Sequence, residues 1–269
     1  MRLGMIGFGS IGKSLAEMLG EEPVAQFTLL VRPGRAAEAK DELADLAPGL
    51  ACRVVTDLPG LIAARPELVV ECAGQPALDA MGATLLQSGI DLVPASVGAL
   101  ASPDLAERLE AAAELGGAQI TLPAGAVGGI DLLAALAPAG GLTVTYRGTK
   151  PPAAWAGSPA TEGCNLNALV SPKIIFAGSA REAARRFPKN ANVAAIIALA
   201  GAGLDDTKVE LVADPNAIAN RHSFRADSPL GRFEVSIENR PSAANPRTSQ
   251  ATAMSLMRAI HNRRARIAI

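Results

Sequence analysis

The chain has 269 residues, 49% of them hydrophobic, enough for one large domain or two small ones with a real core. Its 25 Lys and Arg against 26 Asp and Glu leave a net charge of −1, which excludes the basic footprint of a nucleic-acid binder, and 3% aromatics are too few for base stacking or a membrane-interface belt. Three cysteines, Cys52, Cys72 and Cys164, show no CxxC spacing; they argue against a disulfide framework and fit a reducing cytoplasm.

The N-terminal stretch alternates strand and helix signals. Arg2–Ile6 is a short apolar strand, and Ser10–Leu19 places Ile11, Leu15, Met18 and Leu19 at helical core spacing. Thr28–Val31 follows as a strand, Ala36–Leu46 as a helix and Cys52–Thr56 as a strand. Leu68–Ala73 is almost continuously apolar, as expected of a strand covered on both faces. Next come a helix over Pro76–Ser88, a strand over Ile90–Ala95, a helix over Ser102–Leu115 begun by Ser102-Pro103, and a sixth strand over Gln119–Leu122. This alternation predicts a parallel, doubly wound sheet with right-handed crossovers.

The pattern then changes. Leu142–Thr149, Lys208–Val212 and Phe233–Ile237 alternate with period two, which predicts a second α/β domain with a mostly antiparallel sheet. Two helices lie among these strands. One starts at Ser179 with Glu182 at capping-box spacing, and the other is the apolar run Val193–Leu204 after Asn192. That run is about a dozen residues, short of the ~20 a bilayer requires, and no targeting segment is expected at the N-terminus. Pro151–Gly163 reads as a loop, and Pro246 begins a last helix over Asn245–Asn262. The expected domains are residues 1–121 with 242–269, and residues 122–241.

Gly7-Phe8-Gly9-Ser10-Ile11-Gly12 is a complete G-x-G-x-x-G between the first strand and the first helix. Gly7 permits the tight turn, Gly9 lets the backbone approach a pyrophosphate, and Gly12 lets helix and strand pack closely, while the helix start supplies N–H donors. The second strand ends in Arg32-Pro33-Gly34-Arg35, where an NAD-specific site would carry an acid. Two guanidiniums there suit the 2′-phosphate of NADP, without excluding NAD. The fourth strand ends at Cys72-Ala73-Gly74, which the fold turns toward the cofactor. Cys72 reads as a small buried hydrophobe, with nothing nearby to make it a nucleophile. No His, Cys, Asp or Glu cluster has metal-ligand spacing, so no metal is expected.

The chain has two histidines. His261, at the end of the last helix beside Arg263 and Arg264, reads as solvated; His222 stands in Asn220-Arg221-His222-Ser223-Phe224 after the Pro215-Asn216 turn. Four segments carry a resemblance: Leu122-Pro123-Ala124-Gly125-Ala126-Val127-Gly128-Gly129-Ile130-Asp131; Phe187-Pro188-Lys189-Asn190-Ala191-Asn192-Val193-Ala194; Asn220-x-His222; and Asn239-Arg240-Pro241 with Asn245-Pro246-Arg247-Thr248-Ser249. In this order, behind an N-terminal glycine loop, they make the chain similar to the L-aspartate dehydrogenase family over nearly its whole length. The resemblance implies a Rossmann domain, a mostly antiparallel second domain, a C-terminal helix returning to the first, and a homodimer. It implies His222 as the catalytic residue and Ala126 and Asn192 as cofactor contacts.

The chemistry agrees. Amino-acid dehydrogenation needs a hydride acceptor, donors for two carboxylates, and a group to handle protons as the imine is hydrolysed. His222 suits the last task. Lys150, Lys173, Lys189, Ser96 and the Pro123–Gly129 loop are candidate carboxylate donors, with Ser96 and Lys150 put forward for the substrate. Two other readings fit parts of the pattern: a dihydrodipicolinate- or homoserine-type oxidoreductase, and a catalytically silent NAD(P)-binding sensor or scaffold.

Overall fold

In the computed structural model the described residues are 1–161, 165–188, 191–239 and 250–268. Cys164, Lys189, Asn190 and the Arg240–Ser249 segment, with Pro246 as the proposed helix start, therefore lie outside the described residues.

β1 (Arg2–Ile6) leads into α1 (Ser10–Leu19), then β2 (Gln26–Leu30), α2 (Ala36–Leu46), β3 (Cys52–Val55) and α3 (Leu58–Ala63). β4 (Leu68–Glu71), α4 (Gln75–Gln87), β5 (Asp91–Pro94) and α5 (Pro103–Gly116) complete the run. The five strands form one parallel sheet in the order β3-β2-β1-β4-β5. That is the doubly wound order, with helices on both faces, and it explains why Leu68, Val69 and Val70 are all buried. Each such side chain contributes roughly 1.5–3 kcal/mol of hydrophobic stabilisation. One face packs Leu15, Leu19 and Leu43 with Leu256, Met257 and Ile260 of the C-terminal helix, described over Gln250–Arg264. The other packs Leu61, Leu78, Leu85 and Leu109.

One expectation is corrected here. The sixth strand at Gln119–Leu122 is only an isolated parallel bridge, in which Leu92 N donates to Gln119 O and Thr121 N to Leu92 O on either side of Ile120. His261 is exposed, as expected of a residue near the end of the last helix; its Nε2 lies 2.9 Å from Glu22 Oε1, and Arg263 pairs with Asp91 at 2.6 Å.

The described chain divides into two units, Met1–Pro123 with the stretch from Thr252, and Ala124–Ala251. The second contains α6 (Ile130–Leu136), β6 (Thr143–Lys150), β7 (Lys173–Ser179), α7 (Ala180–Arg186), α8 (Asn192–Ala200), β8 (Lys208–Ala213), β9 (Asn220–Ser228) and β10 (Gly231–Asn239). The Gln250–Arg264 helix is α9. α7 starts with the expected capping box between Ser179 and Glu182. The sheet order is β10-β9-β6-β8-β7. It is mixed rather than antiparallel throughout: β6 and β8 run parallel, while β10–β9, β9–β6 and β7–β8 are antiparallel. The excursion through β7, α7 and α8 supplies the crossover a parallel pair requires. Among the described residues no helix is long and apolar enough to cross a membrane.

Candidate active site

The candidate residues fall into two groups, one in each unit. In the first, Gly7 has φ +91°, and its N–H donates to Leu30 O at 2.9 Å, tying the turn to the end of β2. A Cβ on Gly7 would lie 2.7 Å from that of Ala73, and one on Gly12 would lie 2.5 Å from Gly7 O. A Cβ on Gly9 would meet nothing within 4 Å, and Gly9 starts α1 without a side-chain cap. The loop is thus closed behind and open in front, the shape a pyrophosphate needs.

A cavity of about 520 Å³ opens there, lined among others by Gly7, Gly9, Arg32, Arg35, Cys72 and Ala73. Ser10, Ile11 and Gly12 form the first turn of α1 behind the loop, and Gly74 starts α4. The two arginines differ. Arg32 is exposed, whereas Arg35 pairs with Glu38 at 2.8 Å and Glu42 at 3.6 Å. Burial, reinforced by the adjacent Glu71, pushes the Cys72 thiol well above its ordinary range, which leaves it inert as a nucleophile.

Glu71 itself was not singled out from the sequence. Its side chain is buried at the end of β4 and accepts from Ala73 N at 2.6 Å, Gly74 N at 2.7 Å and Ser96 N at 3.2 Å. The Ser96 hydroxyl also bonds to it. Burial raises its pKa, and these donors oppose the rise. Ser96 is thereby held at the end of β5 by an internal carboxylate.

In the second unit, His222 lies on β9, not in a turn-flanking loop, and is 4% exposed. It stands opposite Gly148 of β6. Its Nδ1 is 2.7 Å from Tyr146 Oη, and the two ring planes lie 13° from parallel. Lys150 belongs to β6, two residues beyond Gly148, and is also buried. Its Nζ lies 5.4 Å from the centroid of the Trp155 ring, whose Nε1 donates to Val212 O at 3.2 Å. Burial lowers the Lys150 pKa to about 8. Burial first, and the Lys150 charge second, lower that of His222 to about 3. A buried neutral imidazole beside a poised ammonium is a proton-handling arrangement.

Ala126 is buried, and its carbonyl accepts from Asn239 Nδ2 at 2.8 Å. Asn192 is the first residue of α8. Neither Tyr146 nor Asn239 was singled out as a site residue from the sequence, although Asn239 stands in the Asn239-Arg240-Pro241 segment. Tyr146 had one available signal, as the only tyrosine in the chain, sharing by period two the strand face of Lys150.

Residues 131–263 match the family described as aspartate dehydrogenase, C-terminal, and residues 7–123 match the NAD-binding domain of homoserine dehydrogenase. An L-aspartate dehydrogenase of Cupriavidus necator is 47% identical, with 100% of each chain covered. The chain belongs to the aspartate dehydrogenase family. An L-aspartate dehydrogenase of Pseudomonas aeruginosa is 44% identical, covering 98% of each chain. The crystal structure of aspartate dehydrogenase from Thermotoga maritima superposes with a TM-score of 0.77 at 27% identity, covering 100% of this chain and 99% of that one. An archaeal homoserine dehydrogenase in complex with NADPH shares the fold, with a TM-score of 0.57 at 13% identity. Family membership joins the two groups of residues in one enzyme class, an amino-acid dehydrogenase using a nicotinamide cofactor.

Proposed function

We infer that this chain is an NAD(P)-dependent L-aspartate dehydrogenase, converting L-aspartate to oxaloacetate and ammonia through iminoaspartate. The observation that carries this reading is 47% identity to an enzyme of that name over the whole of both chains. The first unit is the dinucleotide domain and the second the substrate domain. The glycine loop fits the cofactor, since it leaves open space in front of Gly9 and a cavity beside Arg32. Ala126, held by Asn239, and Asn192 are the cofactor contacts proposed from the second unit.

When bound, the nicotinamide supplies the acceptor for the Cα hydride. His222 then acts on the resulting imine. As a water oxygen bonds to the imine carbon, the imidazole takes the water's proton and the C=N π pair moves to nitrogen. That proton passes to the amine nitrogen, the imidazole then takes the proton of the new hydroxyl, and as the C=O bond forms the C–N pair leaves on nitrogen as ammonia. Lys150, buried and cationic, is the group assigned to a substrate carboxylate. Ser96 is the weaker candidate, because Glu71 already occupies its N–H and hydroxyl. A bound carboxylate offsets the charge of Lys150 and lets His222 accept a proton more readily.

Arg32 and Arg35 support acceptance of NADP, with Arg32 the main contributor because Glu38 and Glu42 already engage Arg35. A homodimer through the second sheet would cover the outer strand β10, whose Phe233, Val235 and Ile237 are half-buried. Sedimentation at micromolar concentration should give about twice the chain mass of 27.4 kDa. The function is tested by following reduction of NAD and of NADP with a panel of amino acids that includes aspartate and homoserine. Reduction with aspartate is expected; turnover of homoserine alone would move the chain to the homoserine class, and binding without turnover would make it a sensor.

A further inference from the structure

His222 is held by a neighbour to which nothing above gives a role. Tyr146, Gly148 and Lys150 follow one another along one face of β6. His222 sits across from the middle one. A Cβ at Gly148 would lie 2.6 Å from Tyr146 Oη. The glycine therefore gives the phenol room to run beside the strand and reach Nδ1 at 2.7 Å. The two ring planes lie 13° apart with centroids 6.1 Å from one another, so the rings meet edge to edge through the hydrogen bond, which fixes the orientation of the imidazole.

We propose that Tyr146 is the positioning residue for His222: its hydroxyl oxygen accepts the Nδ1–H, so that the ring presents the lone pair of Nε2 to the substrate. This rests on His222 being the acid/base group. The charge of Lys150 opposes a cationic imidazole, so the ring rests neutral with one N–H and one lone pair. When Nε2 takes the proton from water, the O–H bond breaks, the oxygen joins the imine carbon and the ring becomes an imidazolium. The Nδ1–H bond to Tyr146 is then charge-assisted, and it steadies a positive charge that Lys150 opposes. Release of the proton to the amine nitrogen returns the ring to its neutral form. Tyr146 stays protonated throughout, since burial raises its pKa above the ordinary phenol value.

The tautomer can be read directly, without substrate. The chain has two histidines, so nitrogen-15 spectra of labelled protein, with His222→Ala for assignment, resolve the His222 ring. We expect a protonated Nδ1 and an unprotonated Nε2 in the wild type, and a shift toward Nε2–H in Tyr146→Phe. The same variant should lose roughly 10–100-fold in kcat, part of the ~10²–10⁴ that an acid/base group supplies, with KM for aspartate and Kd for the dinucleotide changed by less than about twofold. A wild-type ring protonated on Nε2 would overturn the proposal even if the variant failed to fold. So would a folded Tyr146→Phe enzyme with unchanged kcat. If instead His222→Ala keeps its turnover, the acid/base reading itself fails, whatever the tautomer.

Discussion

In the first unit the cofactor loop offers backbone: the turn at Gly7, the bare approach at Gly9 and the N–H groups at the start of α1. In the second unit His222 depends on side chains, with Tyr146 on one side of Gly148 and Lys150 on the other. The first arrangement is lost by adding a carbon, the second by removing one functional group. Backbone sites are encoded by what is missing from the sequence, and side-chain sites by which distant residues the sheet brings side by side.

The comparison predicts unequal responses to mutation. The largest belongs to the side-chain site. His222→Ala should lower kcat for aspartate by about 10²–10⁴ while leaving dinucleotide affinity and fold nearly intact. Stopped-flow or steady-state kinetics beside a fluorescence titration of NAD(P)H would check both halves, and near-wild-type kcat would remove His222 from the chemistry.

Gly12→Ala tests the converse. A new Cβ 2.5 Å from Gly7 O must push α1 away from the loop. Overpacking of this kind costs about 1–3 kcal/mol, and dinucleotide affinity should fall by roughly 10–100-fold with Tyr146 and His222 untouched. Titration calorimetry reads the affinity, and tight binding by the variant would break the account of the loop as a backbone cradle.

Arg32→Asp should weaken NADP by about tenfold and spare NAD, because only NADP carries the phosphate that a guanidinium would hold. Here a side chain adjusts a site that backbone builds, so the loss should be selective rather than total. Equal losses for both dinucleotides would erase that distinction.

The smallest effect concerns pH. His222 has its pKa lowered to about 3 in the folded chain against an ordinary 6.5. Between those values the unfolded chain binds the extra proton, so this residue's contribution to stability falls as pH drops below 6.5. The slope is at most about 1.4 kcal/mol per pH unit. Unfolding free energies from urea titrations at pH 7 and pH 5.5 should therefore differ less for His222→Ala than for wild type, by about 1 kcal/mol. Equal differences would mean that the ring is not held neutral.

These contrasts also account for what the sequence made legible. The parallel sheet was readable because its buried strands are short apolar runs bounded by helices, and the glycine loop because its spacing is local. The strand Asn220–Ser228 was not foreseen: Arg221, His222, Ser223 and Arg225 disguise an alternation in which His222, Phe224 and Ala226 face inward. Placing His222 on a sheet face, and so beside Tyr146, required the register of β9 on β6 across 76 residues of sequence. Lys173–Ser179 was hidden for another reason, as an edge strand with a register shift between Ile174 and Phe176. The role proposed for His222 came from family likeness, since no local pattern distinguishes it from a structural histidine.

The carboxylate of Glu71 bears on how the first unit sorts its ligands. Two helices, α1 and α4, begin at the carboxyl edge of neighbouring strands, and each presents a positive end. The Ala73 and Gly74 amides that lead into α4 are already engaged by the Glu71 carboxyl. A phosphate of the proposed cofactor would therefore find those amides taken, whereas the start of α1 at Gly9 is open. Exchanging Glu71 for an apolar residue would then do more than loosen a loop: it would release two amides beside the proposed site as a second position for an anion.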